Sequence, residues 1–372
     1  MLVDSLKDEI NSYQDVALVI AWPDQTARGD EAWMAFFKRL GVVKNLNFKV
    51  GHAAIVLIQK QTGRCTYYDF GRYITPRGYG RARSALFDPR LQLDTHARFD
   101  ENGQWLNTIE LLHELDARST ATHGGGRLFF SVSPALNFVK ASAFAQSLVD
   151  KGPILYGAVA PENNSCSRYV AQILLAGWDP KDPRRKDLSY PESFKPSPMS
   201  NVVNGTKDRM VYCWHEGNLT NQYMNRWGSL RFQIDLLTIN LYTKKAANLP
   251  SDLTNGHIDT PARPSGIPLD ASWLGGLGEG AWFALTPEDS VLQHYRMYRF
   301  DTEGNEDYQQ VFRVVEGQFN TDLPWEWTYD IGFQQFRIQQ GTESILLVAE
   351  EPPIYESNSQ IKTTLQSITQ WN

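Results

Sequence analysis

The chain is poor in the residues that build crosslinked or metal-centred folds. Its three cysteines, Cys65, Cys166 and Cys213, are spread over 372 residues and cannot form a disulfide framework. No CxxC and no paired Cys/His spacing occurs, so the sequence predicts no metal and no cofactor. Long apolar runs are missing too. The longest, VALVIAW and AAIVLI, are strand-sized and far below the roughly 20 residues of a membrane span, so no transmembrane segment is expected. Excess positive charge is absent as well. A net charge of −6 gives no global attraction to nucleic acid or to an anionic membrane. The opening MLVDSLKDEINSYQD has acidic residues and no apolar signal core, which makes a cytoplasmic location the simplest expectation. No repeat of solenoid or propeller period is found.

What remains is an ordinary globular composition, 42% apolar and 21% charged, long enough for two domains. Val16 to Trp22 reads as a buried strand. DEAWMAFFKRLG reads as a helix with Trp33, Phe36, Phe37 and Leu40 on one face and Gly41 as its stop. GHAAIVLI and CTYYDFGRY are strand-like runs joined through QKQTGR, a hairpin signal. Arg77 to Gly103 is punctuated by Pro, Gly and Asp and predicts irregular structure. WLNTIELLHELDAR, a strand RLFFSVS and a helix ALNFVKASAFAQSLVDKG follow. Asp179 to Ser200 reads as a long surface loop. The helical GSLRFQIDLLTINLYTKKAAN and the Pro-rich stretch after it read as a connector. Beyond Trp273 short aromatic strands alternate, the mark of a β-rich domain. The expected division is 1–205, 206–265 and 266–372.

The chemistry-bearing stretch is PENNSCSRYVAQILLAG. Asn and Ser are preferred helix N-caps, and Tyr169, Val170, Ile173 and Leu174 recur at helical spacing up to Gly177. Cys166 therefore opens a helix, where orphan N–H groups and the helix dipole favour a thiolate. A lone Cys is just as well a small core residue. Of the seven His, His52 stands apart at the mouth of GHAAIVLI; a solvated strand end explains it equally well. Two other motifs dissolve on inspection. HGGG at His123–Gly126 has the look of an esterase oxyanion loop, but no G-x-S-x-G accompanies it. GGLGEGA is followed by a strand where a dinucleotide site needs a helix.

Together, GHAAIVL and NSCSRYV resemble the His and Cys boxes of the circularly permuted branch of NlpC-type papain-like cysteine hydrolases, the branch of lecithin:retinol acyltransferase. In that branch the His strand precedes the Cys helix. YYDFGRY, TPRGYGRARS and NNSCSRYV also resemble an uncharacterised Bacteroidetes family, a domain of unknown function. The resemblance covers roughly residues 15 to 200. It implies an α+β, permuted papain-like domain with an antiparallel sheet and a Cys-bearing helix, followed by the β-rich domain. It implies Cys166 as nucleophile and His52 as base. Its third position falls on the strand after the His strand, where Asp69 is the carboxylate and Tyr67 an alternative one register step away.

The implied activity is hydrolysis of an amide, isopeptide or ester carbonyl in a small-molecule or peptide substrate. Acyl transfer or thioester cleavage, and a non-catalytic binding protein that keeps the fold, are the alternatives. Arg72, Tyr67, Arg81 and Trp22 are the substrate-binding candidates; Arg72 and Arg81 belong to a run with Arg77, Arg83 and Arg90 that ion pairs to carboxylates would explain as well. The β-rich domain is a candidate for holding a protein or ligand partner. The apolar faces Ala54, Val56, Ile58 and Val170, Ile173, Leu174 are expected to meet, bringing His52 to Cys166.

Overall fold

The computed structural model describes residues 12–29, 32–157, 162–193, 195–250, 258–289 and 292–350. The opening stretch through Asn11, the side chain of Trp33, and residues 251–257 of the expected linker lie outside them. Two compact units emerge. The first holds the described residues of Met1–Gly71, Leu91–Ser147 and Leu155–Asn255; the second those of Arg72–Arg90, Leu148–Ile154 and Gly256–Asn372. The class is α+β, with antiparallel sheets and a β-rich C-terminal part, as the sequence predicts.

In the first unit six strands lie in the order Asn218–Tyr223, Met210–His215, Leu128–Leu136, Asp15–Trp22, His52–Ile58, Cys65–Gly71, each antiparallel to its neighbour. Asp15–Trp22 is central because it is apolar on both faces; Ala17 to Ala21 are fully buried. A strand covered on both sides loses the polar alternation of a half-exposed one. The hairpin His52–Ile58/Cys65–Gly71 turns at Gly63, whose φ is +73° and where a Cβ would lie 2.3 Å from the Ala97 carbonyl oxygen. Only glycine fits there.

Register decides the faces. Ala54 pairs with Asp69 and Val56 with Tyr67, so His52, Ala54, Val56, Asp69 and Tyr67 share one face by the two-residue period. Ala54, Val56 and Ile58 pack in a core with Tyr67, Leu111, Leu112 and Leu115. They do not meet the Cys helix, contrary to expectation. That helix, Cys166–Gly177, lies on the opposite face, where Tyr169 meets Phe70 at 6.0 Å between ring centres. The apolar pattern of a strand buried on both sides cannot reveal which face takes which helix.

Three further stretches differ from the sequence reading. Asp179 to Ser200 is not an open loop: it carries a helix Arg184–Ser189 and the start of the wholly buried helix Pro198–Asn204. Its charge is consumed internally, since buried Arg184 donates to Asp182, Ser133, Pro134 and Gly205. Residues 206–265 are not only a connector, because Met210–His215 and Asn218–Tyr223 form a hairpin before the helix Arg226–Thr238. Finally, on the helix Ala32–Arg39 the residues Phe36 and Phe37 are exposed, as is Leu40 just after it.

The second unit contains, among the described residues, a seven-stranded antiparallel sheet built from the strands Ser272–Leu274 to Glu343–Ala349. The segment Arg72–Arg90 belongs to it and contains the strand Tyr79–Arg83, where irregular structure was expected. Ile74 and Phe87 sit in its apolar core beside Phe283, Phe312 and Phe336. Arg83, Arg90 and Arg299 face Asp88, Glu279 and Asp307 in one ion network.

Candidate active site

The first unit brings Cys166, His52 and Asp69 together, and each is placed by its local backbone. Ser165 caps the Cys helix: its backbone is extended and its Oγ accepts the Arg168 N–H at 3.3 Å. Such a cap stabilises a helix by about 1 kcal/mol and fixes where the first turn begins. Cys166 is thus the first helical residue, half-buried, with its thiol 3.8 Å from the Ser167 hydroxyl. Asn201, fully buried, holds this turn by donating to the Ser167 carbonyl at 2.7 Å.

His52 opens its strand directly after Gly51. With φ +74°, Gly51 lies where a Cβ would be 3.1 Å from both the Trp22 carbonyl oxygen and Pro23 Cα. The strand mouth is thereby pressed against the end of the central strand, and Trp22 pairs with His52 across the ladder. Their rings stack at 5.8 Å with 11° between planes. His52 Nε2 lies 3.3 Å from Asp69 Oδ2. The same carboxylate oxygen accepts the Tyr67 hydroxyl at 3.0 Å, and that hydroxyl also lies 3.4 Å from the Thr122 carbonyl. Asp69 has no exposed surface.

The His52 ring and the Cys166 thiol lie close enough for each to shift the other's titration, the ring upward and the thiol downward. Burial alone would lower the pKa of His52. Hydrogen bonds and charge from Asp69 and Cys166 outweigh it and push the ring up to about 9. Burial pushes the Cys166 thiol up, but His52, the Ala53 N–H and the Ser167 hydroxyl together hold it below its ordinary value. The two shifts favour one state, a thiolate beside an imidazolium. Cys65 and Cys213 behave oppositely. Burial raises both, Cys65 to about 11.

Trp22 and Tyr67, the two aromatic candidates for substrate contact, are each 1% exposed; they back His52 and Asp69 from inside. Arg81 has no surface to offer a substrate. It is buried in the second unit, donates to the Ile331 and Tyr329 carbonyls at 2.9 and 2.5 Å, and lies over the Phe87 ring. Arg72 is half-buried in that unit, its carbonyl accepting the Gly278 N–H.

The sequence reading missed the supporting shell. A Cβ on Gly124 would lie 2.6 Å from the Trp22 indole. Gln25 Nε2 donates to the Gly124 and Gly125 carbonyls, while its own carbonyl accepts the Gly51 N–H. Arg127 clamps Asp24 with two guanidinium bonds. HGGG, which lacks the G-x-S-x-G of an esterase, instead brings Gly124 against the Trp22 indole that stacks on His52. Its three consecutive glycines were the one available signal of such close approach. Among the described residues no group of His, Cys, Asp and Glu is placed to hold a metal ion, and no helix is long and apolar enough to cross a membrane.

Comparison with known proteins adds two family matches. Residues 271–349 match the DUF6695 C-terminal domain. No curated protein is matched by the sequence. The crystal structure of the type VI secretion system effector TseH aligns over 56% of this chain and 98% of its own, at 19% identity and a TM-score of 0.38, too low to carry a fold assignment. Residues 17–182, which include Cys166, His52 and Asp69, match the type VI secretion system effector TseH-like family, and this match supports a papain-like, hydrolase-type first unit.

Proposed function

We propose that the first unit is a cysteine-nucleophile hydrolase of the permuted, NlpC-type papain-like class, acting on an amide, isopeptide or ester carbonyl through an acyl-enzyme. One arrangement carries the reading: His52 Nε2 lies 3.3 Å from buried Asp69, and the same ring holds the pKa of Cys166, at its helix start, below the ordinary value. With Nε2 so engaged, Nδ1 is the ring nitrogen for the thiol proton. The thiolate attacks the carbonyl carbon and forms the S–C bond. The charge developing on oxygen is met by the Cys166 backbone N–H, one of the orphan donors of a helix start. The imidazolium gives its proton to the leaving nitrogen or oxygen as the old bond breaks. Water then loses a proton to His52 and attacks the thioester, the S–C bond breaks, and the thiolate returns. Asp69 holds the tautomer and stabilises the imidazolium, as the third member of a triad does. Tyr67 and Trp22 hold Asp69 and His52.

The TseH-like match extends the proposal to the protein's role, a secreted effector made in the cytoplasm. Intact-mass spectrometry after incubation with activated esters and peptide amides tests the chemistry. The expected result is a covalent acyl adduct on Cys166 that decays in water and is absent from Cys166→Ser. Failure to form it with any ester or amide, while the thiol remains alkylatable, would leave the non-catalytic reading standing.

A further inference from the structure

Two exposed segments of the first unit, one leading up to His52 and one far along the chain, are joined by one buried side chain. Asn240, 1% exposed, accepts the Lys44 and Asn45 N–H groups at 3.1 Å and donates to the Asn45 and Asn47 carbonyls. Asn45 and Asn47 in turn donate to the Pro250 carbonyl. Around this junction the same two segments leave large apolar side chains in solvent. Phe36, Leu40, Val42, Leu241 and Tyr242 are between 51% and 59% exposed. Exposed apolar side chains gathered in this way mark an interaction surface.

Along the two segments themselves the charge has one sign. Residues 34–50 and 236–250 contain Lys38, Arg39, Lys44, Lys49, Lys244 and Lys245 and no Asp or Glu, in a chain of net charge −6. Lys49 faces Asp24. Among the described residues Arg39, Lys44, Lys244 and Lys245 have no carboxylate partner, and Lys245 sits 5.4 Å over the Tyr242 ring. We propose that this face binds an anionic lipid surface, with Phe36, Leu40, Val42, Leu241 and Tyr242 entering the headgroup boundary and the Lys and Arg heads meeting lipid phosphates. Cations interleaved with protruding apolar side chains are the pattern of interfacial binding, and long basic side chains bury their stems while keeping their heads at the phosphates. A bilayer accepts such protruding side chains without a shaped pocket. An acidic protein would need a matching one.

Co-sedimentation of the full chain with phosphatidylcholine vesicles containing roughly one part in four phosphatidylglycerol tests the proposal, beside pure phosphatidylcholine vesicles and a poly-glutamate peptide. Binding is expected to the anionic vesicles alone and to weaken severalfold at ~0.5 M salt. Lys44→Glu/Lys244→Glu/Lys245→Glu and, separately, Phe36→Ser/Leu40→Ser should each weaken it by roughly tenfold or more. These positions are exposed, so Cys166 alkylation and far-ultraviolet circular dichroism should be unchanged and report an intact fold. Equal binding to neutral vesicles, undiminished binding by either variant, or binding to poly-glutamate without binding to vesicles would overturn it.

Discussion

Two of the charged clusters that the molecule buries are built to opposite ends. In the second unit Asp88, Glu279 and Asp307 face Arg83, Arg90 and Arg299; Asp88, Arg83 and Arg299 are at most 1% exposed. Three carboxylates face three guanidinium groups, none of which titrates near neutral pH. Burial would raise the Asp88 carboxyl, yet Arg299 and Arg90 hold it down to about 2. In the first unit the cluster is unbalanced. One carboxylate serves a histidine that in turn lowers the pKa of a thiol, on a residue that is only half-buried. Removing two charges from water costs several kcal/mol per ion unless geometry compensates. The first arrangement offsets that cost and stays fixed. The second leaves a proton to move, which separates a staple from a site.

The contrast predicts where each cluster breaks. Cys166→Ala should lose at least roughly three orders of magnitude of hydrolysis with almost no change in melting, measured by turnover and calorimetry. Asp88→Asn should do the reverse, costing about 3–5 kcal/mol in a denaturant titration because Arg299 and Arg90 lose a buried partner. Asp88 has a depressed folded-state pKa. Its contribution is therefore present above the unfolded value of ~3.9 and is lost as pH falls towards about 2.

Asp69→Asn sharpens the comparison at the site. It removes the charge that lifts His52, so the alkaline limb of the pH–rate profile should move down from about 9. Hydrolysis at neutral pH should fall by roughly tenfold to a hundredfold, with the fold retained. The smallest effect belongs to Gly124→Ala. The added methyl presses on the Trp22 indole, and through the stack on His52. The expected loss is severalfold in kcat with little change in KM, the mark of a displaced catalytic group.

Much of the candidate site's geometry was legible because its parts open regular elements. Asn-Asn-Ser before Cys166 announced a helix start, and Gly51 before His52 a strand mouth. The turn signal at Thr62-Gly63 fixed the register that sets Asp69 on the His52 face, given by Ala54 opposite Asp69. Contacts made at long range were not legible. Arg83 and Arg90 look like surface cations until Glu279 and Asp307 arrive from far along the chain. Arg81 is spent on carbonyls at 329 and 331. The packing face of the Cys helix escaped because His52–Ile58 is apolar on both sides. The exposed Phe36 and Leu40 escaped because amphipathic periodicity shows that a helix has an apolar face, not what covers it.

The central claim is that His52 and Asp69 hold Cys166 as a thiolate at neutral pH. The direct test is the rate of iodoacetamide alkylation at each cysteine across pH, resolved by mass spectrometry. The account predicts that Cys166 reacts first, with a midpoint well below the ~8.5 of a free thiol, and that His52→Ala moves that midpoint upward. Cys65 and Cys213, both raised by burial, should lag. A Cys166 midpoint at or above the free-thiol value, or earlier labelling of Cys65 or Cys213, would contradict it.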